Sequence, residues 1–334
     1  MRLPLIAAPI FCFLSLAFAP GADASSMKEA ADGRKGGLII RVEGGGWGGD
    51  SAEKIETVLH AVAEELLTRP SKKLATPIVV THTASNPIAL YDRGRSGEYQ
   101  VRLHASGARW HLYVFEFAHE FCHLMSNYDE NVGKDIGRHN QWFEEALCET
   151  ASLFVLERLA SKWGLAPPAP EWSTQARQLR IFFNLLVAEK HRQLPPQIRP
   201  AAWLSDKEAQ LRRDPYQREQ NDLVAKLLLP LFEQDRKSWD ALRYLNLDPT
   251  DTHATLAEYL RHWYDNAPEE HKAFIAAVRK LLGAGDVPPS ASAAITPDAS
   301  VQQAAVAVAD AGANIRPWRR DLGAKAVTGL GAGR

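Results

Sequence analysis

One five-residue segment, His119–His123 with the sequence HEFCH, constrains this chain more than any other part of its 334 residues. It lies within 109–127, which we predict to be one long helix. A spacing of four residues puts His119 and His123 on the same face of that helix, one turn apart. Two neutral imidazoles at this separation can bind one Zn²⁺, and Glu120 beside them can accept a proton from an attacking water. The alternative is an ordinary amphipathic helix whose two histidines have no shared role.

A second predicted helix, 142–163, follows across a polar connection and offers the ligand that two histidines lack. Catalytic zinc sites use three protein ligands and leave one position for water. Glu145 and Glu149 are four residues apart, so both carboxylates lie on one face of this helix. One of them can bind the metal, and the other can accept the second N–H of a ligand histidine. A solvated acidic face is the alternative, but the large apolar residues around the two glutamates favour the metal site.

The two segments together resemble the gluzincins, the thermolysin-like and aminopeptidase-like zinc metallopeptidases. The pattern of that family is H-E-x-x-H, a connection, and then a helix that begins N-E-[GA]. This chain has E-E-A at the start of the second helix, with Glu145 at the ligand position. The resemblance implies that His119, His123 and Glu145 bind one Zn²⁺. It also implies that Glu120 is the general base and that Glu149 orients the first histidine.

Other positions match the family less closely. Asn127 stands where the family's H-x-x-x-D-Y has Asp, and the resemblance puts it close behind the metal ligands. Glu144 replaces the usual Asn. No G-x-M-E-N segment, which aminopeptidases use to hold the free amine of a substrate, precedes His119. The resemblance therefore implies an endopeptidase, or a peptidase of unassigned specificity, and does not support removal of N-terminal residues.

The resemblance also implies a residue from the helical part that stabilises the oxyanion. Tyr216, in the segment DPYQR, resembles the Y-x-K-G segment of aminopeptidase-like members. An ordinary surface or buried tyrosine is an equal alternative, and His139 and His191 are weaker candidates for the same role. From the same architecture we expect the predicted strand 99–104 to be the edge that pairs with extended substrate.

Two cysteines, Cys122 and Cys148, follow candidate ligands by three residues on their respective helices. If both helices face one zinc, these flanks can meet, and a Cys122–Cys148 disulfide is one hypothesis. A pair of buried thiols that act as small apolar groups is an equal alternative. A cysteine on the metal is a third possibility, disfavoured because three other ligands are already placed.

The two ends of the chain differ from its middle in composition. Residues 1–24 resemble a secretory signal peptide: a basic start, an apolar run and a small-x-small cleavage site. Retention as a membrane anchor is the alternative, but the run is short for a span. Residues 25–36 are predicted to be a flexible leader, and 284–334, rich in Ala and Gly, a disordered tail. We expect a periplasmic or secreted protein without stable membrane insertion.

The remaining residues predict an α+β fold. Strand, helix and several more strands precede the HEFCH helix, so 37–141 is predicted to be an α/β lobe with a mixed sheet. From 142 to 283 the pattern is helical, and this lobe carries the third ligand. With the resemblance, these features imply a zincin-like fold with the active site between the two lobes.

Charge and a glycine-rich segment argue against two other classes of protein. The chain has 39 basic and 40 acidic residues, without the basic excess of a nucleic-acid binder. Residues 44–49 satisfy G-x-G-x-x-G after a predicted strand. No acidic residue ends the next predicted strand, as a dinucleotide site requires. We therefore interpret the glycines as a loop.

The sequence thus predicts an exported zinc metallohydrolase that cleaves peptide or protein substrates. One alternative is a catalytically silent protein of this fold that acts in binding or in the cell envelope. The other is a helical module without enzymatic activity in which the motif occurs by chance.

Overall fold

The computed structural model describes residues 37–69, 71, 73–129, 139–169 and 172–285. The predicted signal peptide (1–24), the predicted leader (25–36) and residues 286–334 of the predicted tail lie outside this described part. Residues 130–138, between the two predicted ligand helices, also lie outside it. Within the described residues, no helix combines the length and the apolar composition that crossing a bilayer requires.

A four-stranded mixed sheet forms from the N-terminal part of the described chain. Its strands are β1 (Ile40–Glu43), β2 (Ile78–His82), β3 (Ile88–Ala89) and β4 (Tyr99–Leu103), in the spatial order β1-β2-β4-β3. The strands β1, β2 and β4 run parallel, and β3 pairs antiparallel with β4. Because β4 has a neighbour on each side, our expectation that 99–104 is the substrate-pairing edge is wrong. The edge strands of the described sheet are β1 and β3.

Helices make up most of the described chain after the sheet. They are α1 (Ala52–Leu66), α2 (Trp110–Met125), α3 (Gln141–Leu165), α4 (Ser173–Val187), α5 (Pro200–Arg213), α6 (Arg218–Gln234), α7 (Leu256–Asn266) and α8 (Glu269–Leu281). Short 3₁₀ helices span Lys73–Ala75, Lys190–Arg192 and Arg236–Tyr244. A small N-terminal mixed sheet with helices, followed by a mostly helical region, confirms the predicted α+β class.

Local sequence signals explain some of these elements and not others. The side chain of Ser51 accepts a hydrogen bond from the amide of Lys54, so it caps α1, as serine often does at a helix N-terminus. Helix α5 has no counterpart among our predictions. It buries only Leu204 and Leu211, so it lacks the apolar periodicity from which a helix is recognised.

Helix α2 lies at the centre of the fold, where apolar residues surround it on all sides. It packs against α1, against the strands β3 and β4, and against α3 and α4. Helix α3 packs in turn against α4 and α6. A helix that is apolar all round is stable only when it is buried in this way. The two helices that carry the predicted ligands are therefore held by the hydrophobic core.

Candidate metal centre

The two buried helices each have one stripe that is only partly buried, and the predicted ligands lie on these stripes. Fourteen of the sixteen residues of α2 are buried, and the two exceptions are His119 and His123. Among residues 141–149 of α3, only Gln141 and Glu145 are not buried. In each pair the residues are four apart, so they lie one turn from each other. The three predicted ligands are thus within reach of an ion from solvent.

The Glu145 carboxylate faces both histidines. Its Oε2 lies 3.3 Å from His119 Nε2, and its Oε1 lies 3.8 Å from His123 Nε2. Two ligands that are each about 2.0–2.1 Å from a tetrahedral zinc are about 3.3 Å apart, which matches the first distance. Two imidazoles and one carboxylate are also a donor set that catalytic zinc sites use. The residues therefore fit a zinc ion, with Glu145 as the third ligand.

The charges around these side chains favour a cation. Burial would lower the pKa of His123, but its hydrogen bond to Glu144 and the charges of the surrounding glutamates raise it to about 10. Burial would raise the pKa of Glu145, but a hydrogen bond with His119 and the charges of both histidines hold it below its usual value. The carboxylates therefore stabilise positive charge between them, and a divalent ion supplies such charge.

Glu144 is the acid that orients His123, one of the candidate ligands. Its Oε1 accepts a hydrogen bond from His123 Nδ1 at 2.8 Å, which leaves Nε2 of the same ring facing Glu145. Its Oε2 accepts one from the Asn246 side chain at 3.0 Å, and Tyr259 donates to that asparagine at 2.7 Å. In the sequence alone, Glu144 is notable only as a departure from the family pattern. The sequence feature that could have revealed this role is an acidic residue at the position where the family has Asn.

Glu149, to which the family resemblance gave this orienting role, has a different partner. It forms a buried ion pair with Arg192, whose side chain is completely inaccessible to solvent. The same guanidinium lies 3.3 Å from Asp222 and 3.0 Å from Glu189. His191, a weaker candidate for the oxyanion role, is hydrogen-bonded to Asp222 at 2.9 Å. Glu149 thus pairs with a buried cation, and its predicted role in orienting the first histidine stays a prediction.

Glu120, the predicted general base, is a buried carboxylate between α2 and the edge strand. Its Oε2 accepts a hydrogen bond from the backbone amide of Ala89 in β3 at 2.7 Å. Burial raises the pKa of Glu120 above its usual value, although the two neighbouring histidines and the Ala89 amide act in the opposite direction. A carboxylate with a raised pKa is suited to accepting a proton and then giving it up.

The two cysteines lie between the ligand helices as free thiols. Cys122 and Cys148 are both completely buried, and the two free thiols are close enough to influence each other. Burial raises the pKa of the Cys148 thiol well above its usual value, and the contact with Cys122 raises it further. The helices therefore bring the two sulfur atoms together as we expect from the sequence, but as free thiols without a covalent bond between them.

Tyr216 is 55% exposed and belongs to the loop between α5 and α6. This loop brings the tyrosine hydroxyl to the first residue of α3. Its hydroxyl accepts a hydrogen bond from Gln141 Nε2 at 2.9 Å, one turn before Glu145 on the partly buried stripe of that helix. Asp214 shapes the loop by accepting a hydrogen bond from the Tyr216 amide at 3.1 Å. His139, another candidate, contacts Arg212 at 2.7 Å. Of the three oxyanion candidates, Tyr216 is thus the one tied to the ligand-bearing stripe.

Asn127 supports the structure behind α2 and contacts no ligand side chain. Its φ is 57°, in the left-handed region that ends a helix, and its Nδ2 donates to the carbonyls of Arg243 and Leu245 at 2.9 Å each. Lys73 donates to its Oδ1 at 3.1 Å. The side chain thus turns towards the 3₁₀ helix Arg236–Tyr244, and the place of Asn127 close behind the metal ligands stays a prediction.

The glycines of 44–49 have a packing role in the loop between β1 and α1. Trp47 in this loop is buried. A Cβ atom on Gly46 would lie 2.5 Å from the His82 ring, and one on Gly48 would lie 2.7 Å from the amide of Gly107. Close approach of the loop to its neighbours therefore accounts for these two glycines.

Comparison with known proteins finds no matching family model, no matching curated protein and no matching solved structure.

Proposed function

We propose that the chain is a zinc metallopeptidase of the gluzincin type, with a zincin-like site between its sheet-containing part and its helical part. The observation that carries the proposal is the approach of Glu145 to His119 Nε2 and His123 Nε2, at 3.3 and 3.8 Å. The buried Glu120 next to the first histidine supports it further, since a zinc site without hydrolytic chemistry does not need a base there.

The residues of the proposed site have separate roles in peptide hydrolysis. When bound, zinc lowers the pKa of a coordinated water and polarises the carbonyl group of the substrate. Glu120 accepts a proton from the attacking water and delivers it to the leaving amine. Because the Ala89 amide holds Oε2 of Glu120, we assign the proton transfer to Oε1. Glu144 fixes the tautomer of His123, so that its Nε2 lone pair faces the metal position.

Substrate binding follows from two features beside the ligands. Tyr216 donates a hydrogen bond to the developing oxyanion, while Gln141 holds its hydroxyl near the start of α3. An extended peptide or protein lies along the edge strand β3, where Ile88 and Tyr91 expose large apolar side chains. The protein acts in the periplasm or outside the cell once the signal peptide is removed.

The test combines metal analysis with a peptide-library cleavage assay on the mature chain. We expect about one zinc per chain, and cleavage of internal peptide bonds. Glu120→Gln keeps the size of the side chain but cannot accept the proton, so it should retain zinc and lose about 10²- to 10⁴-fold in kcat. The matched control is Glu116→Gln, another buried glutamate one turn earlier on α2, which should keep its activity at neutral pH.

Three results would contradict the proposal. Cleavage that is undiminished in Glu120→Gln would exclude the mechanism. Zinc binding without turnover of any peptide would favour the alternative, a catalytically silent binding or envelope protein. A chain that binds no zinc would leave the motif as a chance pattern in a helical module.

A further inference from the structure

A buried thiol lies beside the two histidines of the candidate metal centre. One ring nitrogen of His119, one ring nitrogen of His123 and the Sγ atom of Cys148 all lie within 4.8 Å of one another. Cys148 is one turn after Glu144 and three residues after Glu145 on α3. The same pair of imidazoles therefore faces two groups of one helix that can bind a metal, a carboxylate and a thiol.

We propose that Cys148 is a fourth protein ligand of the metal, in addition to His119, His123 and Glu145. This inference rests on the proposed function only in assuming that a metal binds at these residues. Thiolate sulfur is a strong ligand for Zn²⁺ and Co²⁺. As the metal–sulfur bond forms, the thiol proton passes to solvent, so charge and atoms balance. No oxidant or further reactant takes part.

The packing of the two helices keeps the thiol at this place. Glu144, Glu145 and Cys148 form one continuous patch, because residues three and four apart are neighbours on a helix. Glu144 is fixed against His123 at 2.8 Å, and Cys148 is completely buried against Cys122 of α2. The sulfur atom therefore has little freedom to turn away from the imidazoles.

A fourth protein ligand changes what the site does. Zinc with four protein ligands is a closed, structural type of centre, whereas hydrolysis needs a position for water. Cys148 would thus hold the centre in a latent form, and its sulfur must leave the metal before turnover. It follows that Cys148→Ala should bind the metal and cleave peptides faster than the unmodified chain.

The experiment adds one equivalent of Co²⁺ alone to the metal-free, full-length chain and records its absorption spectrum. We expect a thiolate-to-cobalt charge-transfer band in the near ultraviolet. The band should disappear completely in Cys148→Ala and persist in the matched control Cys122→Ala. X-ray absorption at the zinc edge of the unmodified protein should show a sulfur at about 2.3 Å, which needs no variant to fold.

The outcomes separate this inference from the proposed function. If Co²⁺ binds in a manner that depends on Glu145, but without the charge-transfer band and without sulfur near zinc, Cys148 is not a ligand and the proposed function stands. If neither metal binds, both proposals fail. If neither Cys122 nor Cys148 reacts with a thiol reagent in the denatured, unreduced protein, a Cys122–Cys148 disulfide uses both sulfur atoms, and the inference is overturned.

Discussion

Glu144 accepts a hydrogen bond from Nδ1 of His123 at 2.8 Å, and this contact sets which nitrogen of the ring faces Glu145. The carboxylate can only accept, so Nδ1 carries a proton, and Nε2 is the nitrogen that presents a lone pair to a metal when the ring is neutral. Glu144 is in turn held by Asn246, whose φ of 60° lies in the left-handed region that Asn tolerates better than most residues. A buried chain of hydrogen bonds thus orients one of the candidate ligands.

The role of Glu144 can be tested against that of Glu149. Glu144→Gln should weaken zinc binding by about 10- to 100-fold, because the histidine loses its negatively charged partner. Glu149→Gln is the matched control, and it should change zinc affinity less, since Glu149 is paired with the buried Arg192. Competition with a chelator measures both affinities. Equal losses in the two variants would show that the orienting acid has been assigned wrongly.

A second prediction concerns the stability that the pair of Glu149 and Arg192 provides. Glu149→Gln should lower the free energy of unfolding of the metal-free protein by about 2 kcal/mol, the value of a hydrogen bond to a charged group. Glu157→Gln is the control, because Glu157 pairs with Arg180 on a more exposed part of α3. That change should cost less than about 1 kcal/mol. Urea unfolding would reveal whether the two variants differ in this order.

A third prediction concerns the oxyanion. Tyr216→Phe removes one donor near the start of α3, so kcat should fall by about 10- to 1000-fold while zinc content is unchanged. Tyr264→Phe serves as the control and should have full activity, because the Tyr264 ring lies beside Lys272 and Arg279 of α8. Steady-state kinetics on a cleaved peptide provides the measurement. A kcat equal to that of the unmodified chain would make Tyr216 an ordinary surface tyrosine.

A fourth prediction concerns the dependence of stability on pH. Burial raises the pKa of Glu116 from 4.5 to about 8, although backbone hydrogen bonds from Ala105 and His104 oppose the rise. The folded protein then holds this proton more tightly than the unfolded chain does. The resulting stabilisation is fully present below about pH 4.5 and is lost as the pH rises through about 8.

Glu116→Gln removes this dependence because the amide does not titrate. The free energy of unfolding of the unmodified, metal-free protein should therefore fall relative to that of Glu116→Gln between about pH 5 and pH 8. Urea unfolding at several pH values measures the difference between the two proteins. A difference that is the same at every pH would mean that Glu116 keeps an ordinary pKa in the folded state.

Local spacing was sufficient to predict three parts of this protein. The four-residue interval in His119–His123 predicts a shared helical face, and the structure has both histidines on the one partly buried stripe of α2. The apolar periodicity of 142–163 predicts α3, which spans Gln141–Leu165. The alternation from strands to helices along the chain predicts the α+β class. In each case neighbours along the chain determine the outcome, and their spacing is visible in the sequence.

Contacts between distant segments decided the rest. On a helical wheel, Glu149 lies nearer to Glu145 than Glu144 does. Glu144 is nevertheless the residue that contacts His123. The angle at which α2 and α3 cross determines which turn of α3 lies beside the His123 ring. Arg192, 43 residues after Glu149, takes up the carboxylate that the wheel favours. The edge position of β3 likewise depends on the pairing of β4 with β2. Side-chain spacing along one segment contains no information about these partners, because they are chosen by the packing of elements that lie far apart in the chain.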